Sequence, residues 1–515
     1  MAATILWADD EIDLLKPHIM FLTAKGYELL TVRSGGEALD VVASRHVDLV
    51  ILDEHMPGIT GLEALQQIKL TAPHIPVVMI TKSEEEDIMD QAIGGKIADY
   101  LIKPVNPRQI LSAIKKALDS PRLVAERTTD SYREAFTELS AEINRCRDIA
   151  DWGAVYSRLA YWLIELDAST DIAAMAADQL TEANAAFTKY IRRNYAAMVT
   201  ADYPDTPLMS HTLLRRRLFP LVEQQRKPWV VVIDNFRLDQ WLAIRPMLAH
   251  AFNFETDELC CAILPTTTQY ARNAIFAGLM PARIAELHPD LWIDDTAAEG
   301  KNLNEEALLG AMLRRLRRPW KFSYTKVSDS TSCQRLTDTL SQRSGNDFNV
   351  VVLNFIDMLS HARSESSALR ELAQTDAAYR SITASWFRHS PALALFERIA
   401  ATGSPILLTT DHGTIRVSNP VRIMAERDVS SGLRYKTGRK IDADTRRVFE
   451  TRRPAEIGLA ASSLTSSYIF ATGADYLLYP NNYTQYVQRY NATFQHGGIS
   501  LEEMLVPAVT LAPKQ

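Results

Sequence analysis

The sequence predicts an α/β protein in three parts: a doubly wound parallel sheet over residues 1–120, a helical connector over 121–205, and a larger α/β domain over 206–515. Three observations carry this. Short apolar runs alternate with helix-length amphipathic segments at the start of the chain. No proline falls between Pro121 and Pro204, and Gly153 is the only glycine there. After residue 206 the strand-like runs return, with longer intervals between them.

At 515 residues, 47% of them apolar and 23% charged, the chain is long enough for several cores and far from the composition of a disordered one. Lysine and arginine number 56 against 63 acidic residues, a net charge of −7, so no global basic field recruits nucleic acid or an anionic membrane. The four cysteines, Cys146, Cys260, Cys261 and Cys333, lack metal or redox spacing and read as reduced, mostly buried thiols. The first residues carry no positively charged leader, and no apolar run approaches about 18 residues. These features lead us to expect a cytoplasmic protein without a membrane segment.

In the first part, Ile5–Ala8, Leu29–Val32, Leu49–Leu52, Val77–Ile80 and Tyr100–Ile102 read as strands of one parallel sheet. Functional groups of such a sheet gather at the strand carboxyl ends. There the sequence places Asp9 and Asp10, then Asp53, then Thr81, then Lys103-Pro104. Three neighbouring carboxylates repel one another until a hard cation such as Mg²⁺ relieves them. A hydroxyl and an ammonium facing a carboxylate suit a phosphoryl group on it. Singly, Asp9 and Asp10 are loop residues and Lys103 a helix cap, and Tyr100 is an aromatic that packs.

The order Asp9/Asp10, Asp53-Glu54-His55-Met56-Pro57-Gly58, Thr81 and Lys103-Pro104 resembles the CheY-like receiver domain of two-component response regulators. The resemblance implies that Asp53 accepts phosphate from a cognate histidine kinase, that Asp9, Asp10 and Asp53 hold Mg²⁺, and that Tyr100 follows the Thr81 hydroxyl as a switch. It also implies a phosphorylation-dependent homodimer. Lys82 departs from the family pattern, which has a small residue after the threonine, and this bears on phosphoryl lifetime.

The connector predicts helices and no chemistry. Beyond it, Trp229–Ile233, Cys261–Leu264, Val350–Phe355, Pro405–Thr409 and Tyr468–Ala471 read as strands, and the charged stretch 427–451 as an exposed excursion. No short basic helix-turn-helix pattern is present, so no DNA-binding output domain is expected. Instead, ligand-type residues follow the strands: Asp234, the run Thr266-Thr267-Thr268, Asp357 with His361, Asp411-His412, and His496 before Gly497-Gly498. Aspartates, histidines and a hydroxyl form a two-metal inventory for phosphoryl transfer, in which a metal-activated threonine is the nucleophile. Asp357 and His361, at i and i+4, can share one face. The remaining histidines His211, His250, His288 and His389 match no motif, and the arginine runs at 215–217 and 314–318 read as solvated helix faces.

These residues resemble the alkaline phosphatase superfamily, and their arrangement its PglZ branch. The resemblance implies two Zn²⁺ ions, one held by Asp234, Asp411, His412 and the nucleophile Thr268, the other by Asp357, His361 and His496. Thr266 and Thr267 stay as rivals to Thr268. Arg237 and Arg272 are candidates for engaging substrate phosphate. The combination of parts resembles response regulators of the type IX secretion system. That implies a sigma factor of the extracytoplasmic-function type and a secretion-motor component as partners, and a zinc-dependent phosphodiesterase acting on short or cyclic oligonucleotides. The competing expectation is a non-enzymatic regulatory module with a structural metal site.

Overall fold

The computed structural model of the chain describes residues 3–72, 75–82, 97–166, 170–201, 207–293, 302–365, 374–425, 430, 432–461 and 466–514, with backbone alone for 119–127 and 361–365. Two compact units, Met1–Arg133 and Glu134–Gln515, divide within the helix Pro107–Arg145.

The first unit is a five-stranded parallel sheet, β1 (Thr4–Ala8), β2 (Glu28–Val32), β3 (Leu49–Asp53), β4 (Val77–Thr81) and β5 (Asp99–Ile102), in the order β2-β1-β3-β4-β5. β3 and β4 are buried along their whole length, as their unbroken apolar runs require. One core face gathers Leu6, Val50, Leu52 and Met79, and the other gathers Trp7, Ile51, Val78 and Ile80. The alternation follows the two-residue period of a strand. It leaves the polar residues after β1, β3, β4 and β5 at one sheet edge.

The strands of the second unit begin with β6 (Trp229–Ile233), β7 (Phe252–Cys261), β8 (Phe322–Val327), β9 (Phe348–Leu353) and β10 (Ile406–Thr409). It continues through β11 (Ile415–Arg416), β12 (Asn419–Arg422), β13 (Tyr435–Gly438), β14 (Val448–Thr451), β15 (Ser467–Ala471), β16 (Asp475–Leu478), β17 (Phe494–Gln495) and β18 (Leu505–Pro513). The main sheet has the order β7-β18-β10-β6-β9-β8. Its β10, β6, β9 and β8 are parallel, whereas β18 runs antiparallel to both β10 and β7. Asp234, Asn354 and Asp411 therefore leave adjacent strands at the same edge.

Three expectations change. The strand expected over Cys261–Leu264 ends at Cys261 as the tail of β7, and the next residues leave the sheet toward Pro265. The stretch expected as an exposed excursion contributes β13 and β14, which flank β15, and it buries Arg434, Tyr435 and Lys436. Arg439, Lys440, Asp442, Asp444 and Arg446 are exposed as expected, whereas Arg434 is matched inside by Glu503. The connector is helical as expected, but its helices Ile149–Glu165 and Asp171–Thr200 place Trp152, Leu159, Phe187 and Tyr195 in the same core as Val231 and Val351. Composition marks where helix begins, not where packing ends.

Candidate functional site

In the first unit, Lys103 Nζ lies 2.8 Å from Asp9 Oδ2 and 3.1 Å from Asp53 Oδ2. Burial pulls the Lys103 ammonium down, but its bonds to Asp9 and Asp53 outweigh that and hold its pKa above the usual lysine range. Burial raises Asp53 in spite of Lys103. Asp53 Oδ1 is buried with no hydrogen-bond partner among the described residues, and Asp9, Asp10 and Asp53 offer oxygens within 4.8 Å of one another. An orphaned oxygen among three carboxylates fits a hard divalent cation. Thr81 is buried at the end of β4 beside this group. Tyr100, half-buried in β5, packs against the core face that contains Met79. Lys82 reaches Glu11 Oε2 at 2.7 Å, an exposed pair beside the site.

In the second unit, Asp234, Asp411 and His412 bring ligand atoms within 4.8 Å of one another, all buried. Thr268 Oγ1 is 3.3 Å from His412 Nε2 and 3.5 Å from Asp234 Oδ1. The rival threonines do not reach this cluster. Thr266 Oγ1 donates to Gly498 O at 3.0 Å and accepts from Gly497 N at 2.9 Å, and Thr267 Oγ1 is buried without a partner as the chain turns into the helical segment beginning at Thr268. His412 Nδ1 meets Gly413 O at 3.0 Å; donating there leaves the Nε2 lone pair facing the cluster. His496 stacks on His412 with ring centroids 4.2 Å apart, and its Nδ1 meets Thr266 O at 3.2 Å. Asp357 Oδ1 accepts from Asn235 Nδ2 at 3.4 Å, and Asn235 N donates to Asp411 Oδ1 at 3.4 Å. Asn235, at φ 60°, thus ties two of the expected ligand segments together. The side chain of His361 lies outside the described residues.

Both arginines expected to engage phosphate are paired with carboxylates, and Arg272 keeps Nη2 buried without a hydrogen-bond partner among the described residues. Arg237 is buried, donating through Nε and Nη2 to Asp239 at 2.8 and 2.6 Å and through Nη1 to Asp376 at 2.6 Å. Arg272 is fully buried, with Nη1 2.7 Å from Asp234 Oδ2 and 3.8 Å from Asp411 Oδ2, and Nε 3.2 Å from Glu305 Oε1. A desolvated guanidinium among carboxylates cannot swing out to a substrate without stranding them. Among the described residues, only Arg272 and Lys326, which reaches Glu305 at 3.3 Å, stand against the carboxylates of Asp234, Asp411 and Glu305, so the cluster keeps a negative excess. Burial raises Asp234, with Arg272 opposing. Asp411 Oδ2 is buried with no hydrogen-bond partner among the described residues. Orphaned oxygen, negative excess and an imidazole lone pair fit zinc.

Residues the sequence did not flag complete the frame. Arg434 Nε and Nη2 meet Glu503 at 3.1 and 2.5 Å; Glu503 Oε1 accepts from Gly498 N at 2.8 Å, and its backbone oxygen accepts from Gly413 N at 3.1 Å. One buried ion pair therefore holds the loops of His412 and His496. Glu503 sits within the tail string after His496; Glu305 carries no local signal at all. The arginine runs are not wholly solvated: Arg217 pairs with Glu258, and Arg315 Nη2 donates to Ala277 O at 2.7 Å.

Comparison with known proteins agrees with these parts. The BREX system PglZ alkaline phosphatase-like domain matches residues 213–511, the response regulator receiver domain residues 5–115, and the PorX response regulator linker domain residues 122–199. The chain is 35% identical over 118 residues to the phosphate regulon transcriptional regulatory protein PhoB of Pseudomonas aeruginosa, covering 22% of this chain and 51% of that protein. It is 35% identical over 116 residues to the probable transcriptional regulator ycf27 of Cyanidium caldarium, covering 22% and 45%. The chain spans about half the length of these curated relatives. A CheY-like receiver domain protein from Methanospirillum hungatei JF-1 is similar at 28% identity and TM-score 0.23, covering 23% of this chain and 96% of that one. Among the described residues, no helix is long and apolar enough to cross a membrane. With a receiver and a PorX linker ahead of a domain that fills more than half of it, the chain belongs to the PglZ alkaline phosphatase-like family and is a response regulator of the PorX type.

Proposed function

We propose that the chain is a response regulator in which phosphorylation of Asp53 by a cognate histidine kinase, with Mg²⁺ on Asp9, Asp10 and Asp53, controls a zinc-dependent phosphodiesterase with Thr268 as nucleophile. The observation that carries this is Thr268 Oγ1, half-buried and 3.3 Å from His412 Nε2, beside carboxylates that lack enough positive charge. Asp234, Asp411 and His412 would hold one zinc ion, and His496 and Asp357, with His361, a second. Bound there, zinc would lower the proton affinity of the threonine hydroxyl and draw off charge from the transferring phosphoryl group. Thr268 Oγ1 attacks phosphorus, its bond to phosphorus forming as the bond to the leaving alkoxide breaks, and water then resolves the phosphothreonine. His496 stacks on the His412 ring, and Arg272 opposes the burial that raises the Asp234 carboxyl.

Short or cyclic oligonucleotides are the proposed substrates and type IX secretion the proposed setting, with the PorX linker match as support. Sigma-factor and secretion-motor contacts belong to the same proposal. Hydrolysis of a chromogenic phosphodiester by the zinc-loaded protein tests it, with Thr268→Ala and a chromogenic monoester alongside. Diester turnover that vanishes in Thr268→Ala with metal content preserved is the expected result. Turnover unaffected by that substitution, or none at all, refutes the enzymatic reading and favours a regulatory module with a structural metal site.

A further inference from the structure

A groove of about 970 Å³ runs between the helices Ile149–Glu165 and Asp171–Thr200 on one side and the segments 415–419 and 472–475 on the other, all within the second unit. None of the expected metal ligands lines it. Three kinds of surface meet there. One wall is apolar, built by Leu163, Leu166, Ala177 and Leu180. The rim carries Lys189, Arg192 and Arg416, all exposed and, among the described residues, without a carboxylate partner. Arg192 spends its donors on the backbone oxygens of Thr445, Arg446 and Val448, which leaves its charge unneutralised. The floor holds Tyr156, Glu502, Asp376 and the Arg237 guanidinium.

Tyr156 offers the groove an unspent polar group. It is 2% exposed, it lines the groove, and its hydroxyl has no hydrogen-bond partner among the described residues. Tyr156 shares the groove lining with Glu502, Arg237 and Asp376. Because this hydroxyl opens onto the groove, it is free to meet a ligand.

We propose that this groove is a second binding site, for a nucleoside phosphate. The rim cations take the phosphate, the apolar wall takes one face of the base, and the hydroxyl and carboxylates of the floor take the exocyclic amino donor of the base. Inorganic phosphate leaves the wall and floor unused, and an acyl chain leaves the floor acceptors unpaired. The site is also wired to the metal cluster. Arg237 follows Asp234 by three residues, and its Cγ would stand 3.4 Å from a Cβ placed on Gly413, the neighbour of His412. A ligand that shifts Arg237 therefore bears on two ligand loops.

Titration of the full-length protein, zinc-loaded and after EDTA, with the fluorescent nucleotide mant-ADP tests this by anisotropy. Saturable binding at one per chain is expected under both conditions, displaced by unlabelled ADP and not by the same concentration of inorganic phosphate. The exposed rim pair Lys189→Glu/Arg416→Glu weakens binding about tenfold or more, and Tyr156→Phe about threefold to tenfold. Thr268→Ala leaves it unchanged. Non-saturable binding, displacement by phosphate as readily as by ADP, or loss in Thr268→Ala with the rim variant neutral overturns the proposal. Because the readout is binding after EDTA, failure here is separable from failure of the phosphodiesterase reading.

Discussion

Replacing Arg434 with methionine keeps most of the side-chain volume and removes one charge from a fully buried pair. Glu503 then retains Gly498 N at 2.8 Å and Ser500 Oγ at 2.7 Å as donors but has no cation, and the Asp475 carbonyl loses its bond from Arg434 Nη1. Stranding one member of a buried ion pair costs about 3–5 kcal/mol. The Gly498 and Ser500 donors that remain place the expected cost near the lower end, about 3 kcal/mol. Urea unfolding of the full-length chain followed by tryptophan fluorescence measures it, with zinc content determined on the same samples. Adding Glu503→Gln removes the stranded charge while keeping an acceptor for Gly498, so the double variant recovers about 1–2 kcal/mol relative to the sum of the single ones. A cost below about 1 kcal/mol for Arg434→Met, or strict additivity in the double variant, refutes the claim that this pair holds the His412 and His496 loops together.

Other outcomes rest on particular groups. Burial lowers the Lys436 ammonium from 10.5 to about 8, so from pH 8 to 10.5 the unfolded chain binds more protons than the folded one and stability rises with pH, by about 3 kcal/mol at most. Lys436→Met flattens that slope and stabilises the protein at pH 7; an unchanged slope counts against a charged, desolvated lysine. Asp411→Asn, which blunts an orphaned buried oxygen, lowers retained zinc as measured by atomic absorption, and full retention argues that the cluster is not the metal site. Lys82→Ala opens the pair with Glu11 and shortens phosphoryl lifetime on Asp53, read as phosphate release after a small phosphodonor, without changing stability. The same phosphodonor doubles the mass seen by light scattering; an unchanged mass at micromolar protein argues against the dimer.

Much of both sites was legible because the strands of a parallel sheet deliver the residues at their carboxyl ends to one edge. Asp9, Asp53, Thr81 and Lys103 could be placed from short apolar runs alone, and so could Asp234 and Asp411. The features that stayed hidden depend on partners far apart in sequence. Arg237 and Arg272 look like free cations until Asp376 and Glu305 arrive from segments more than 30 residues away. Arg434 looks solvated until Glu503 meets it. β8 alternates weakly and β18 carries two prolines, so neither announces a strand, yet they are placed by pairing with β9, β10 and β7.

The linker is the sharpest case, since its composition predicts helices and no chemistry. Yet Tyr195 Oη accepts from Leu264 N at 2.7 Å, immediately ahead of the threonine run, while Asn184 accepts from Leu501 N at 2.7 Å and donates to Glu502 at 3.0 Å, just beyond His496. One helix, Asp171–Thr200, therefore grips both the nucleophile loop and the tail loop through buried hydrogen bonds. A displacement of that helix cannot leave the two loops where they are, because each bond lost strands a buried group at about 1–3 kcal/mol. Tyr195→Phe removes one grip and keeps the ring in its packing among Phe187 and Ile191. The expected result is a loss of stability of about 1–3 kcal/mol together with a fall in diester turnover at unchanged zinc content. A stability loss with turnover intact would show that the helix supports the fold without setting the geometry at Thr268.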